Sequence, residues 1–113
     1  PKYAIEVMEI PQFGYHLSPK SKQEKVQKIG LVPKSGSKLA PHPDRIYFTY
    51  NVDDALKLLP EMEGMKSGPY VLYTVALRGI RGLRLFSDPN FFRRGFYTMT
   101  NIPPDRIVKA EDV

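Results

Sequence analysis

The residues able to do chemistry in this chain are few and scattered: His16 with Ser18, then Tyr47, then Asp88 on a turn, and the pair Arg93-Arg94 beyond it. A neutral imidazole offers one donor and one acceptor, and a hydroxyl offers both. A phenol presents a flat apolar face with a polar tip, and guanidinium groups present charge and fixed donors to phosphate. Each residue also has a plainer reading. His16 can be a core histidine bonded to backbone, Tyr47 a core tyrosine of a β-rich chain, Ser18 the opening of the turn before Pro19, and Arg93 with Arg94 a solvated pair on a loop. His42, between Pro41 and Pro43, reads as incidental. With two histidines and no cysteine, no metal-ligand spacing and no thiolate nucleophile is available.

Charge narrows the partners. Seventeen Lys+Arg against twelve Asp+Glu leave a formal +5. The excess is clustered: Lys20, Lys22, Lys25, Lys28, Lys34 and Lys38 face only Glu24 in their segment, and Arg78, Arg81, Arg84, Arg93 and Arg94 face only Asp88. Positive fields of this kind favour phosphate-bearing partners such as RNA or DNA, although a solvated basic surface would read the same way. The absence of cysteine suits a reducing compartment, and no long uninterrupted apolar run is present, so a soluble cytoplasmic protein without membrane contact is expected. The chain of 113 residues is read as a single domain, 1–113, with 42% hydrophobic residues available for one core.

The elements that must position these groups follow from periodicity. Lys2 to Ile10 alternates loosely and predicts an edge strand closed by Pro11; Phe13 to Leu17 predicts a second short strand that sends Tyr15 and His16 to opposite sides. Ser21-Lys22-Gln23-Glu24 fits a capping box for a helix running to about Ile29, with Val26 and Ile29 inward and Gly30 at the left-handed C′ position. The Pro, Gly, Ser and Lys rich stretch from Val32 to Asp44 reads as a loop. Arg45 to Tyr50 predicts a strand with Ile46, Phe48 and Tyr50 on one face and Tyr47 and Thr49 on the other. Asn51 caps a helix that Pro60 stops, with Ala55, Leu56 and Leu59 buried. Glu61 to Pro69 is a second loop. Tyr70 to Leu77, apolar on both faces, reads as a central strand. Short strands follow at Leu83 to Phe86, Phe96 to Thr100 and Asp105 to Lys109. The expected class is α+β, a split antiparallel-rich β-sheet with two short helices.

Several of these blocks, taken in order, resemble the ADP-ribosyltransferase superfamily. They are Tyr15-His16-x-Ser18, the helix, Gly30-Leu31-x-Pro33, Arg45-Ile46-Tyr47-Phe48-Thr49, Ala55, Tyr70-Val71-Leu72, and Gly95-Phe96-Tyr97 leading to Ile102-Pro103-Pro104. The pattern is similar to the catalytic lobe of RNA 2′-phosphotransferases and spans about Tyr15 to Ile107. The resemblance implies NAD as cofactor. It places His16 on the adenosine ribose, with Leu17 and Ser18 beside it, and Tyr47 stacked on nicotinamide as in the transferases of the His-Tyr-Glu pattern. The phosphotransferases usually carry a second histidine at the Tyr47 position.

The third element departs from the family. Where the transferases hold a glutamate at the start of the penultimate strand, this chain reads Arg93-Arg94-Gly95-Phe96-Tyr97, and the nearest carboxylate is Asp88 on the preceding loop. The resemblance therefore carries His16, Tyr47 and Asp88 as candidate catalytic residues, and His16, Leu17, Ser18, Tyr47 and Arg94 as candidate NAD contacts. Three readings follow: an ADP-ribosyltransferase-like enzyme that modifies a protein or nucleic-acid acceptor; a module of the same fold that binds NAD, ADP-ribose or an RNA end without turnover; and an interaction protein with a vestigial cleft.

Overall fold

Tyr70 to Ala76 carries apolar residues on both faces, and a strand of that kind needs a covered position in a sheet. The computed structural model describes residues 4–33, 44–63 and 68–113. In it β3 (Tyr70–Ala76) pairs along its whole length with β1 (Phe13–Pro19), from Phe13 opposite Ala76 to Pro19 opposite Tyr70. Around this pair stand β2 (Ile46–Thr49), β4 (Phe86–Ser87), β5 (Gly95–Thr98) and β6 (Ile107–Asp112). They form one six-stranded sheet in the order β4-β5-β2-β1-β3-β6, antiparallel at every junction. The architecture is α+β, as expected. In the middle, β1 meets β2 at one pair, Tyr15 opposite Thr49, so the β4-β5-β2 and β1-β3-β6 halves are joined over a short length.

The helices cover opposite faces. α1 (Gln23–Ile29) lies over the face of β1 that carries Gly14, His16 and Ser18, and Val26 packs there with Phe48, Val71 and Tyr73 in the main core. Gly14 makes room for this layer: a Cβ on it would stand 2.9 to 3.1 Å from side-chain atoms of Leu77, Phe48 and Phe96. The stacked Phe48 and Phe96 rings, 5.4 Å apart, fill that space. Burying a ring of this size contributes about 1.5–3 kcal/mol. The second helix comes in two pieces, α2 (Val52–Leu56) and α3 (Leu59–Glu63), and covers the other face, where Ala55, Leu17 and Leu72 form a smaller cluster with Leu58 and Leu59.

Local expectations are met unevenly. Asn51 does cap α2, accepting the Asp54 N–H at 2.8 Å, and Ile46 and Phe48 face the core while Tyr47 faces out. The capping box does not form. A 3-10 turn at Lys20–Lys22 carries the chain into α1, whose first residue follows Lys22 without any side-chain cap. Ile29, expected inward, is 49% exposed and lies at the helix end beside Gly30 and Leu31, lining a surface pocket. Leu56 is exposed as well, since α2 ends there. Pro60 does not stop a helix but sits in the first turn of α3, where its missing N–H costs nothing.

The segment before Pro11 is an accessory rather than a full strand. Glu6 bridges Phe86, and Val7 N–H and Ser87 N–H bond the Leu85 and Ile5 carbonyls, each at 2.8 Å, which covers the outer edge of β4. β4 and β6 both begin later than expected, at Phe86 and Ile107, and β3 lies second from an edge instead of at the centre. Most of the first predicted loop, 34–43 with His42, Lys34 and Lys38, and part of the second, 64–67, lie outside the described residues. No helix among the described residues is long and apolar enough to cross a membrane.

Candidate functional site

His16 stands at the seam of the sheet, where the pairing of β1 with β2 runs out. Its Nδ1–H donates to the carbonyl oxygen of Tyr47 at 2.6 Å, so the side chain takes over from the backbone ladder. The imidazole stacks on Tyr73, with centroids 6.5 Å apart and planes at 22°, and meets Phe48 at 5.9 Å. These contacts fix the tautomer with the proton on Nδ1 and leave Nε2 as an acceptor. Burial lowers the imidazole pKa from its ordinary 6.5; the bond to Tyr47 opposes the shift and the Lys22 ammonium adds to it.

That direction has a consequence for stability. The unfolded chain binds a proton on His16 more readily than the folded chain, so stability is full above about pH 6.5 and falls as pH drops through the lower folded value. The urea midpoint of the wild type is expected to decline between about pH 8 and pH 5 more steeply than that of His16→Gln. Parallel profiles would mean that the histidine is not held neutral.

The same ring lines a pocket of about 110 Å³ together with Ser18, Lys22, Lys25, Val26 and the backbone turn Gly30-Leu31-Val32. The turn is clamped from outside: Leu31 and Ile102 exchange both backbone hydrogen bonds, each 2.9 Å. A pocket of this size takes a ribose or a phosphate group, not a whole dinucleotide, since sites for drug-sized ligands run to about 300–1,000 Å³. Its wall supplies an imidazole acceptor and a hydroxyl, and its rim supplies two lysines. No carboxylate among the described residues lines it. Among the described residues no group of His, Asp and Glu is arranged to hold a metal ion.

The remaining candidates are distributed differently from the expectation. The register that sets Tyr15 opposite Thr49 places His16 beside Phe48 and sends the Tyr47 ring to the other face, where it is 38% exposed and lies 6.0 Å from Tyr97. His16 and Tyr47 therefore meet through a backbone carbonyl, and their side chains do not line one cleft. Ser18 is in the pocket, but Leu17 points away into the smaller cluster with Ala55. Asp88 sits in the turn after β4, where Oδ1 accepts the Asn90 N–H at 2.9 Å and the backbone N–H bonds Gly95. Two strands separate β4 from β1, which at the usual strand spacing amounts to about 14 Å. Arg94, exposed, holds Tyr50 through its carbonyl oxygen at the end of the same turn.

The arginine cluster is partly structural too. Arg78 donates to the Ile10 carbonyl at 2.9 Å, and Arg84 pairs with Glu6 at 2.6 Å, both tying down the segment before β1. The residues that the sequence did not single out are Lys22 and Lys25 at the pocket and Tyr73 against the imidazole. The signal for the lysines is their spacing of three, which returns both to one side where the 3-10 turn runs into α1. Compared with protein families and with curated proteins, the chain matches none.

Proposed function

We propose that this chain is an ADP-ribosyltransferase-like protein that uses the His16 pocket to hold the adenosine-ribose end of NAD or ADP-ribose. The observation that carries the reading is the neutral imidazole, locked by Tyr47 and Tyr73, at the edge of a ribose-sized pocket with Ser18 beside it and Lys22 and Lys25 on its rim. Nε2 accepts from a ribose hydroxyl, and the lysines supply positive potential for the pyrophosphate. The order of the blocks from Tyr15 to Pro104 supports the same relationship.

The placement of the acids favours binding over turnover. Transfer of ADP-ribose to a protein or nucleic-acid acceptor, the enzymatic form of this reading, calls for a carboxylate near the nicotinamide ribose, and Asp88, the one that the order of motifs offers, is taken up in its own turn by the Asn90 N–H. The form we put forward is a module that binds the nucleotide without fast cleavage.

Calorimetry with NAD and with ADP-ribose tests it. His16→Ala is expected to weaken binding by about 1–3 kcal/mol through the lost hydrogen bond. Tyr47→Phe is expected to leave affinity unchanged, because His16 uses the Tyr47 carbonyl and the phenol lies on the other face. Equal affinity in wild type and His16→Ala removes the pocket from consideration, and a loss in Tyr47→Phe moves the site to the opposite face.

A further inference from the structure

The two outer edges of the sheet are treated differently. The short β4 is covered by the Ile5 to Val7 segment, whereas no described strand pairs with the outer side of the six-residue β6. An uncovered edge presents a row of backbone donors and acceptors to any strand that fits it. Which groups point outward follows from the ladder. Val113 N–H bonds the Tyr70 carbonyl at 3.0 Å, and the pairing is regular from Asp112 opposite Val71 down to Lys109 opposite Thr74. In an antiparallel ladder inward and outward groups alternate, so Lys109, Glu111 and Val113 bond β3 while Ala110 and Asp112 turn their N–H and C=O to solvent.

We propose that the chain forms a two-fold homodimer by antiparallel pairing of β6 with β6 of a second copy, centred on Ala110. The charges select this register. With the axis at Ala110, the Ala110 residues exchange both backbone bonds, and Lys109 of each copy lies opposite Glu111 of the other at the closely spaced, non-bonded positions. An axis at Lys109 would set lysine against lysine, and one at Glu111 would set acid against acid. Within one chain Lys109 Nζ already lies 2.9 Å from Glu111, with both side chains solvated, so in the dimer the two pairs merge into one four-charge cluster across the axis. The edge carries its opposite charges in self-complementary order, as a two-fold pairing requires. The β-bulge at Val108, where the register shifts between Thr74 and Val75, limits the regular shared edge to Lys109 to Glu111, because about this axis Asp112 and Val113 fall opposite Val108 and Ile107 of the other copy.

So short an interface gives a dissociation constant in the range of about 10 μM to 1 mM, far weaker than an interface of standard size. Sedimentation equilibrium of the chain is expected to show a concentration-dependent monomer–dimer equilibrium. A monomer at every concentration up to about 1 mM overturns the proposal. Ala110→Pro removes an N–H that β3 does not use, so circular dichroism and the thermal midpoint are expected to hold while the dimer is lost. Lys109→Glu is expected to raise the dissociation constant roughly tenfold or more by opposing acids across the axis, and adding Glu111→Lys to it restores wild-type association. These charge variants decide the matter if Ala110→Pro does not fold. A dimer that persists in folded Ala110→Pro, or a charge reversal that the double variant does not rescue, places the interface elsewhere and refutes this one.

Discussion

Gly30→Ala is expected to be among the most destabilising single-methyl additions in the molecule, costing about 2–5 kcal/mol from overpacking and backbone strain together. A Cβ on Gly30 would lie 1.9 Å from the Ile102 carbonyl oxygen and 2.9 Å from the Pro103 carbonyl carbon, and both of these are backbone atoms that no rotamer change can move. The residue also has φ 82° and ψ −161°, a region that side chains avoid almost entirely. Gly82 is the control. Its φ is +74°, yet nothing lies within 4 Å of an added Cβ, so Gly82→Ala carries only the conformational cost of about 1 kcal/mol. Urea unfolding of the two variants separates clash from strain. Equal losses would mean that the close approach to Ile102 is not what Gly30 is for. Because Gly30, Leu31 and Val32 wall the pocket, Gly30→Ala is also expected to abolish nucleotide binding where Gly82→Ala leaves it intact.

Gly30 also illustrates what was legible in the sequence. A glycine after the helix was expected, and its positive φ was expected, because a helix end and a Gly-Leu-x-Pro sequence are local signals. The extended ψ was not. It is imposed by the Leu31 to Ile102 bridge, a contact between segments far apart in the chain. The same division runs through the site. Alternation along Ile46 to Thr49 correctly separated Tyr47 from Phe48, but which of the two stands beside His16 depends on the register of β1 against β2, and no local pattern encodes that. Alternation alone therefore does not support one cleft shared by His16 and the Tyr47 ring, and the register separates them. Asn51 was legible as a cap because its side chain needs only the next turn of backbone. Ser21 met the same pattern and failed, since the 3-10 turn displaced the start of α1 past it.

NAD cleavage by this chain is expected to be about two to three orders of magnitude slower than a site with a placed acid would allow. Breaking the nicotinamide bond leaves positive charge on the ribose, and a carboxylate that faces it stabilises the transition state more than the bound substrate. The stretch where the resemblance expects that acid reads Arg93-Arg94-Gly95-Phe96-Tyr97, and positive charge there opposes the developing charge. Asp88 is the carboxylate that the order of motifs would enlist, but it closes its own turn by accepting the Asn90 N–H, and β5 and β2 stand between its strand and β1. Asp88→Asn keeps an acceptor oxygen for that turn while removing the charge, so it tests chemistry without disturbing the fold. The expected result, with nicotinamide release followed on the purified protein, is the same slow rate in wild type and Asp88→Asn. A fast wild type slowed a hundredfold or more by Asp88→Asn would show that the turn after β4 reaches the nucleotide, and the chain would then have to be read as a transferase whose acid arrives from the loop before β5.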